Sequence, residues 1–491
     1  MTSFKGPFLK LLASRPVATG AVLVLSSLTA VACTTQVATT RLANAPEVEA
    51  ASPALSPLFS ASSLSASSFS ACTPDEAALT QGGSYSTNVD LLASVALPGN
   101  SGVDVVMTPF GAIAAVNTDA GATLHWIDPT NGETRLAKDL SQPISDIAFD
   151  GRETLAIATN GKILTLSAAS SDQIAEISLP DVKRVAISPE AHIAAIAGKT
   201  VHLYSNEQKV FSKRRDYTDV TDIELRACGS DRLVYVTSFQ NANFTDLNNQ
   251  RNPVQIARLE ALSFTGDVQW SLFSDRPETI KQNVADTRLY RVTLGRDGYL
   301  YIGGESAGTA TIFRWRGQPM SADEQYGRAT PFLTRTDANT HLHNSGSAHL
   351  PYYARVHPTK GELVTSQMTF PRLSSTKANT MRIGDIAASE NGSLYFGGMA
   401  SGSIPNREAL TLNGAPVGDY AKGDRAWLSV SPNFRDRNFW TVLADEGGKG
   451  IVQGVDAGYG YSAALSNAES GSVPVTTGEN TSSVFLSFIA E

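Results

Sequence analysis

The sequence is poor in cysteine: 491 residues carry three. Cys33, Cys72 and Cys228 stand too far apart for a CxxC pair, which excludes a zinc ribbon and a thioredoxin-like redox site. Charge is sparse as well, at 18% of residues, with a net value of −8. The one compact basic run is Lys213, Arg214 and Arg215. A surface that tracks phosphates needs many such residues, so general nucleic-acid binding is excluded. There is no HExxH pair and no Walker-type phosphate loop. The stretch from Asp246 begins like a calcium loop. It lacks the central glycine and has Ala257 where a bidentate glutamate is required, so an EF-hand is rejected. Sustained helical periodicity is missing too.

What is present is a repeated phrase. An alternating apolar run meets a turn and is followed by a second alternating run. It occurs at residues 105–116, 147–158, 185–197, 223–236, 292–303 and 386–397. The first four starts lie roughly 40 residues apart, the period of propeller blades. Asp150-Gly151, Asp297-Gly298 and Asn391-Gly392 supply the positive φ angles of tight hairpins, and Ser188-Pro189 marks another turn. The predicted fold is all-β: one β-propeller of seven or eight blades over residues 87–491. The run 484–489 is expected to pair with 90–97 and close the ring. Long insertions are expected at 238–252, 334–348 and 401–424.

The N-terminus reads as an export signal. Lys5, Lys10 and Arg15 precede an apolar stretch at 17–32, too short for a membrane span. Ala30, Val31, Ala32 and Cys33 resemble a bacterial lipobox, with Ala30 where leucine is usual. The expected organisation is a signal peptide at 1–32, lipidation of Cys33, and an Ala/Ser-rich flexible tether at 33–86. Acyl chains on Cys33 would hold the chain at a membrane. Thr34, rather than aspartate, follows the cysteine, which by analogy favours the outer membrane. In an oxidising compartment Cys72 and Cys228 could pair as a disulfide or stay as two thiols.

Two segments resemble the repeat of quinoprotein-type propellers, at residues 122–134 and 259–270. The second matches at Ala261, Leu262, Thr265, Gly266 and Trp270. The first has Ile127, Asp128 and Gly132, with Arg135 near the place of the trailing tryptophan. The same repeat is similar to that of outer-membrane lipoprotein propellers, which use it without a cofactor. Residues 292–304 and 386–398 resemble a repeat of large secreted bacterial proteins. Gly298 and Gly392, Leu300 and Leu394, Tyr301 and Tyr395, and Gly303 and Gly397 correspond between the two copies. The resemblance is to bacterial β-propeller lipoproteins, and it implies blades rather than a ligand. No motif marks a quinone site, so no cofactor is expected.

Four of the seven histidines fall at His341, His343, His349 and His357. On a strand, His341 and His343 would share a face, as a pair of imidazole ligands requires. His341, His343 and His349 are therefore the candidate ligands for a divalent metal. The alternative is a polar loop with no metal. The aromatic residues Tyr299, Tyr301, Phe313, Trp315, Tyr395, Phe396, Phe439 and Trp440 are expected to pack between blades. The leading expectation is an envelope lipoprotein whose propeller binds or scaffolds a protein or glycan. The rival is a metal-dependent or quinoprotein-like enzyme with its site in the central funnel, where those histidines would converge with carboxylates.

Overall fold

A computed structural model describes residues 54–58, 72–245, 249, 251–273, 285–307, 313, 348–375, 377–444, 448–471, 473, 475–476 and 482–491. Among the described residues, seven four-stranded antiparallel sheets form. Their innermost strands are Ser101–Thr108, Ile144–Phe149, Val182–Ile187, Asp219–Cys228, Thr287–Leu294, Met381–Ala388 and Gly450–Gly458. Each packs against the next, and the last packs against the first. This is a seven-bladed propeller, and the blades are numbered 1 to 7 in that order. The eighth blade that the chain length allowed is absent among these residues.

The strand sequences follow their radial position. The second strand of blade 1, Gly111–Thr118, is buried over its first six residues because neighbouring blades cover both of its faces. Alanine recurs there and in the second strands of blades 2 and 3, at Ala112, Ala114, Ala156, Ala158, Ala194 and Ala195. Small side chains suit the narrow end of a wedge. Large rings fill the interior further out, with Trp126, Trp427 and Trp440 fully buried. Outermost strands see solvent: in Gln208–Arg214 only Phe211 is buried.

Blade 7 takes three strands from the C-terminal part of the chain and its outermost strand, Ala93–Leu97, from the N-terminal part. That strand pairs with Val484–Ala490, from Ala93 with Phe488 to Leu97 with Val484. The ring closes as expected. The insertion at 238–252 is not a loop: it lengthens two strands of blade 4, Asp231–Thr245 and Arg251–Ser263, which stay paired out to Thr245 and Arg251. Most of 334–348 lies outside the described residues. The insertion at 401–424 carries the short strands Thr411–Leu412 and Ala415–Pro416, and the first pairs in parallel with Asn88–Val89.

Part of the segment expected to be a tether lies on the propeller. Leu55 N–H donates to Ala169 O at 2.7 Å, and Leu58 N–H to Pro109 O at 2.9 Å. Further along, Asp75 N–H donates to Asp297 O at 3.1 Å, and Gln81 O accepts from Asn433 N–H at 3.1 Å. Docked structure therefore begins before residue 87. Cys72 and Cys228 are joined as a disulfide, with their Cα atoms 5.5 Å apart.

Candidate functional site

The seven innermost strands share one irregularity. Each carries a β-bulge at the same point in its pairing with the second strand. A bulge re-aims the side chain that follows it. The residues after the bulge are, in blade order, Asp104, Asp146, Arg184, Asp222, Arg291, Asp385 and Gly454. They form a charged girdle around the axis. Gly454 is the one position without a side chain, and a Cβ there would fall 2.8 Å from Asp104 Oδ1.

Three of the four girdle acids act as clasps between blades, while Asp104 accepts from the adjacent Val105 N–H at 2.8 Å. Asp146 Oδ2 accepts from Val185 N–H at 2.8 Å, Asp222 Oδ2 from Val292 N–H at 3.0 Å, and Asp385 Oδ2 from Val455 N–H at 3.1 Å. In each case the donor lies in the next blade, one residue past that blade's girdle position. A second level repeats the device: Glu224 accepts from Leu294 N–H at 3.1 Å, and Asp456 from Met107 N–H at 2.6 Å. Two arginines close the gaps. Arg184 lies 2.8 Å from Asp146 and 3.6 Å from Asp222, and Arg291 lies 3.2 Å from Asp385. Arg296 crosses from blade 5 to donate to Ala457 O at 2.9 Å and Met107 O at 3.2 Å. Its guanidinium passes where a Cβ on Gly458 would stand, so only glycine permits the approach.

These groups line an axial cavity of about 310 Å³. Turns at the far ends of the innermost strands, including Asp150, Pro189 and Cys228, also line it, as does Cys72. The cavity is acidic and poorly solvated, and the acids titrate accordingly. Burial pushes Asp146 up to about 6, Glu224 to about 7 and Asp385 to about 7. Burial, together with Asp385 and Asp146, holds Asp104 well above the usual carboxylate range. Burial also raises Asp456. Burial alone would lower Arg184, but Asp146 and Asp222 keep it charged. Chemically, the arrangement binds backbone N–H groups and guanidinium groups of its own chain.

His349 lies elsewhere. Its Nδ1 is 2.7 Å from Glu305 Oε1, which also accepts from Tyr290 Oη at 2.7 Å and from Arg288. Burial works against the ionised Glu305, but the His349 and Tyr290 hydrogen bonds hold it below its ordinary value. His349 does not line the axial cavity, so the funnel of convergent histidines and carboxylates does not form from it. His341, His343 and Cys33 lie outside the described residues. Among the described residues, no three His, Cys, Asp or Glu side chains are grouped to hold a metal ion.

Gly304-Glu305-Ser306-Ala307-Gly308 has the spacing of a hydrolase nucleophile elbow. The elbow requires a strand-to-helix turn with an exposed serine. Here Ser306 ends the strand Leu300–Ser306 and is fully buried. Consecutive strand residues point to opposite faces, so Ser306 does not join the Glu305–His349 pair.

The aromatic residues serve packing. Tyr299, Tyr301, Phe313, Tyr395, Phe396, Phe439 and Trp440 are all buried; Trp315 lies outside the described residues. In the two quinoprotein-like segments, tryptophans dock onto the following blade. Trp126 Nε1 donates to Ala168 O of blade 2 at 2.7 Å, and the Trp270 ring lies where a Cβ on Gly361 of blade 5 would stand. The girdle was open to a different reading of the sequence. Superposing the repeats on their first β-branched residue aligns Asp104-Val105, Asp146-Ile147, Asp222-Ile223 and Asp385-Ile386, with Arg184-Val185 and Arg291-Val292 in the same register.

No protein-family model and no curated protein matches the sequence. Solved structures similar to the chain include the Kuenenia stuttgartiensis hydrazine synthase, at 10% identity and a TM-score of 0.45, covering 75% of this chain and 94% of that one. A mitotic checkpoint complex chain is similar at 8% identity and 0.44, covering 84% and 97%. The Dos1 propeller is similar at 8% identity and 0.42, covering 81% and 94%. The fold rests on the seven sheets themselves.

Proposed function

We propose that the chain is a membrane-anchored lipoprotein of the bacterial cell envelope whose propeller is a non-catalytic binding module for a protein. The observation that carries the reading is the girdle. Three of its four acids, the groups a funnel enzyme would use, are committed to backbone N–H and guanidinium groups of neighbouring blades. A disc locked at its axis is a rigid platform, and its recognition surface then lies on the rim or faces. The disulfide supports an oxidising compartment. The lipobox-like residues up to Cys33 support an anchor, which would raise the effective concentration of the disc near membrane partners.

Exposed aliphatic residues stand near the start of four outermost strands, at Leu92 beside that of blade 7 and at Ile174, Val210 and Val268 on the consecutive blades 2, 3 and 4; the last three are the candidate rim contacts. A photo-cross-linking residue at each position in intact cells tests the proposal. A discrete protein adduct at one or more of them, lost in a Cys33→Ala chain, is expected. Absence of any adduct at all three, with membrane placement unchanged in Cys33→Ala, would contradict it.

A further inference from the structure

We infer that the Cys72–Cys228 disulfide is a mechanical junction. It passes tension from the N-terminal segment into blade 4 and keeps that tension off the strand that closes the ring.

The closing strand, Ala93–Leu97, is the first strand of the propeller proper that a pull from the N-terminus would meet. It is outermost in its blade, and its strand partner is Val484–Ala490, held over five residue pairs. Tension entering at Ala93 would load those pairs from one end. Between Cys72 and Ala93 the chain is held by separate contacts that a pull from the N-terminus would load one after another. Asp75 N–H reaches Asp297 O, Gln81 O accepts from Asn433 N–H, Ser86 N–H reaches Asn438 O at 2.8 Å, Asn88–Val89 adds a two-residue pairing, and Asn413 bonds Val89 O and Leu91 N–H, with Val89 and Leu91 buried. Each such hydrogen bond contributes only about 1 kcal/mol net.

Cys228 is a different kind of attachment. It ends the ten-residue innermost strand of blade 4, Asp219–Cys228, which pairs along its length with the next strand. That strand carries the Asp222 and Glu224 clasps to blade 5. The fully buried Arg226, two residues before Cys228, donates to the Cys72 carbonyl and fixes the incoming chain beside the bridge. A covalent bond therefore joins the N-terminal segment to the axis of the disc, upstream of the strand that closes the ring. The Leu55 and Leu58 contacts lie before the bridge and would release first, without consequence for the ring.

A natural source of tension, a lipid at Cys33, rests on the proposed function; the junction itself does not. The test holds the full chain by its two termini in an optical trap. Because Glu491 follows the strand paired with Ala93–Leu97, this pull bears directly on the closure. In the folded chain after reduction, and in Cys72→Ser, an early low-force rupture is expected. It should release the roughly 25 residues from Cys72 to Leu97, about 85 Å when extended. In the oxidised chain that event should be missing, and the first rupture should come at a higher force. A first rupture in the reduced chain and in Cys72→Ser at the same force as in the oxidised chain, or one that releases far less than about 85 Å and so leaves the Ala93–Leu97 pairs intact, would overturn the inference. A chain with unmodified Cys33 that still shows the difference would overturn the anchor alone.

Discussion

Asp385 links three blades, accepting from Val455 N–H of blade 7 and facing Arg291 of blade 5. Burial nonetheless raises its carboxyl from an ordinary 3.8 to about 7. Replacing it in Asp385→Asn removes the titrating proton and keeps an acceptor for Val455. Each pKa unit corresponds to about 1.4 kcal/mol, so the full shift corresponds to about 4 kcal/mol. With partial solvent contact and acidic neighbours, about half of that is a fairer expectation. The sign follows from linkage. The folded chain holds the proton more tightly than the unfolded chain, so this stabilisation is complete below about pH 4 and lost as pH rises through about 7. Unfolding entropy of about 2 cal/mol/K per residue over some 400 residues makes 1 kcal/mol worth about 1 °C. Thermal melts by circular dichroism at pH 5 and pH 8.5 measure it. About two thirds of the rise lies above pH 5, so the wild type should lose about 1–3 °C more than Asp385→Asn on going from pH 5 to pH 8.5. A variant that melts lower than wild type by the same margin at both pH values would refute the reasoning, because Asp385 would then be ionised and stabilising throughout.

Substitutions at two further positions probe the blade-to-blade bonds. Asp222→Ala orphans the Val292 N–H and removes a partner of Arg184, at a cost of about 3–5 kcal/mol, whereas Asp222→Asn keeps the acceptor and should cost about 1–2 kcal/mol; urea unfolding separates the two. Arg355 donates to Pro432 O at 2.6 Å and Gly392 O at 2.8 Å while its guanidinium lies 4.8 Å from the Phe434 ring centroid, so Arg355→Lys should lose the fork and about 3 kcal/mol, with hydrogen exchange rising first in the 389–393 and 431–436 turns.

The blades were legible where turn chemistry is strong. Six innermost hairpins announce themselves through alternation into turns such as Asp297-Gly298 and Asn391-Gly392. The seventh, Gly450–Gly458 into Tyr461–Ala468, is hidden. Gly450, Gly454 and Gly458 interrupt its alternation, and Tyr459 takes the positive φ of 59° that a glycine or asparagine would normally signal. The extended hairpin of blade 4 reads as a loop because Asn241, Asn243 and Asn252 are poor strand formers, yet pairing continues through all three. The girdle escapes a search for motifs because a charged residue before Val or Ile looks like ordinary alternation with solvent on one side. Only the bulge turns it toward the next blade. The docking of residues 72–86 is likewise set by contacts distant in sequence, with Asp297, Asn433 and Asn438, which local composition does not report.

The proposed lipid anchor at Cys33 would hold the disc at a membrane, and the mass of the N-terminal peptide recovered from cell membranes tests that most directly. The prediction is a peptide that begins at Cys33 and carries the added mass of diacylglyceryl and N-acyl groups, with Cys33→Ala releasing the chain into the soluble fraction. An unmodified Cys33 in a chain recovered from the soluble fraction would contradict it.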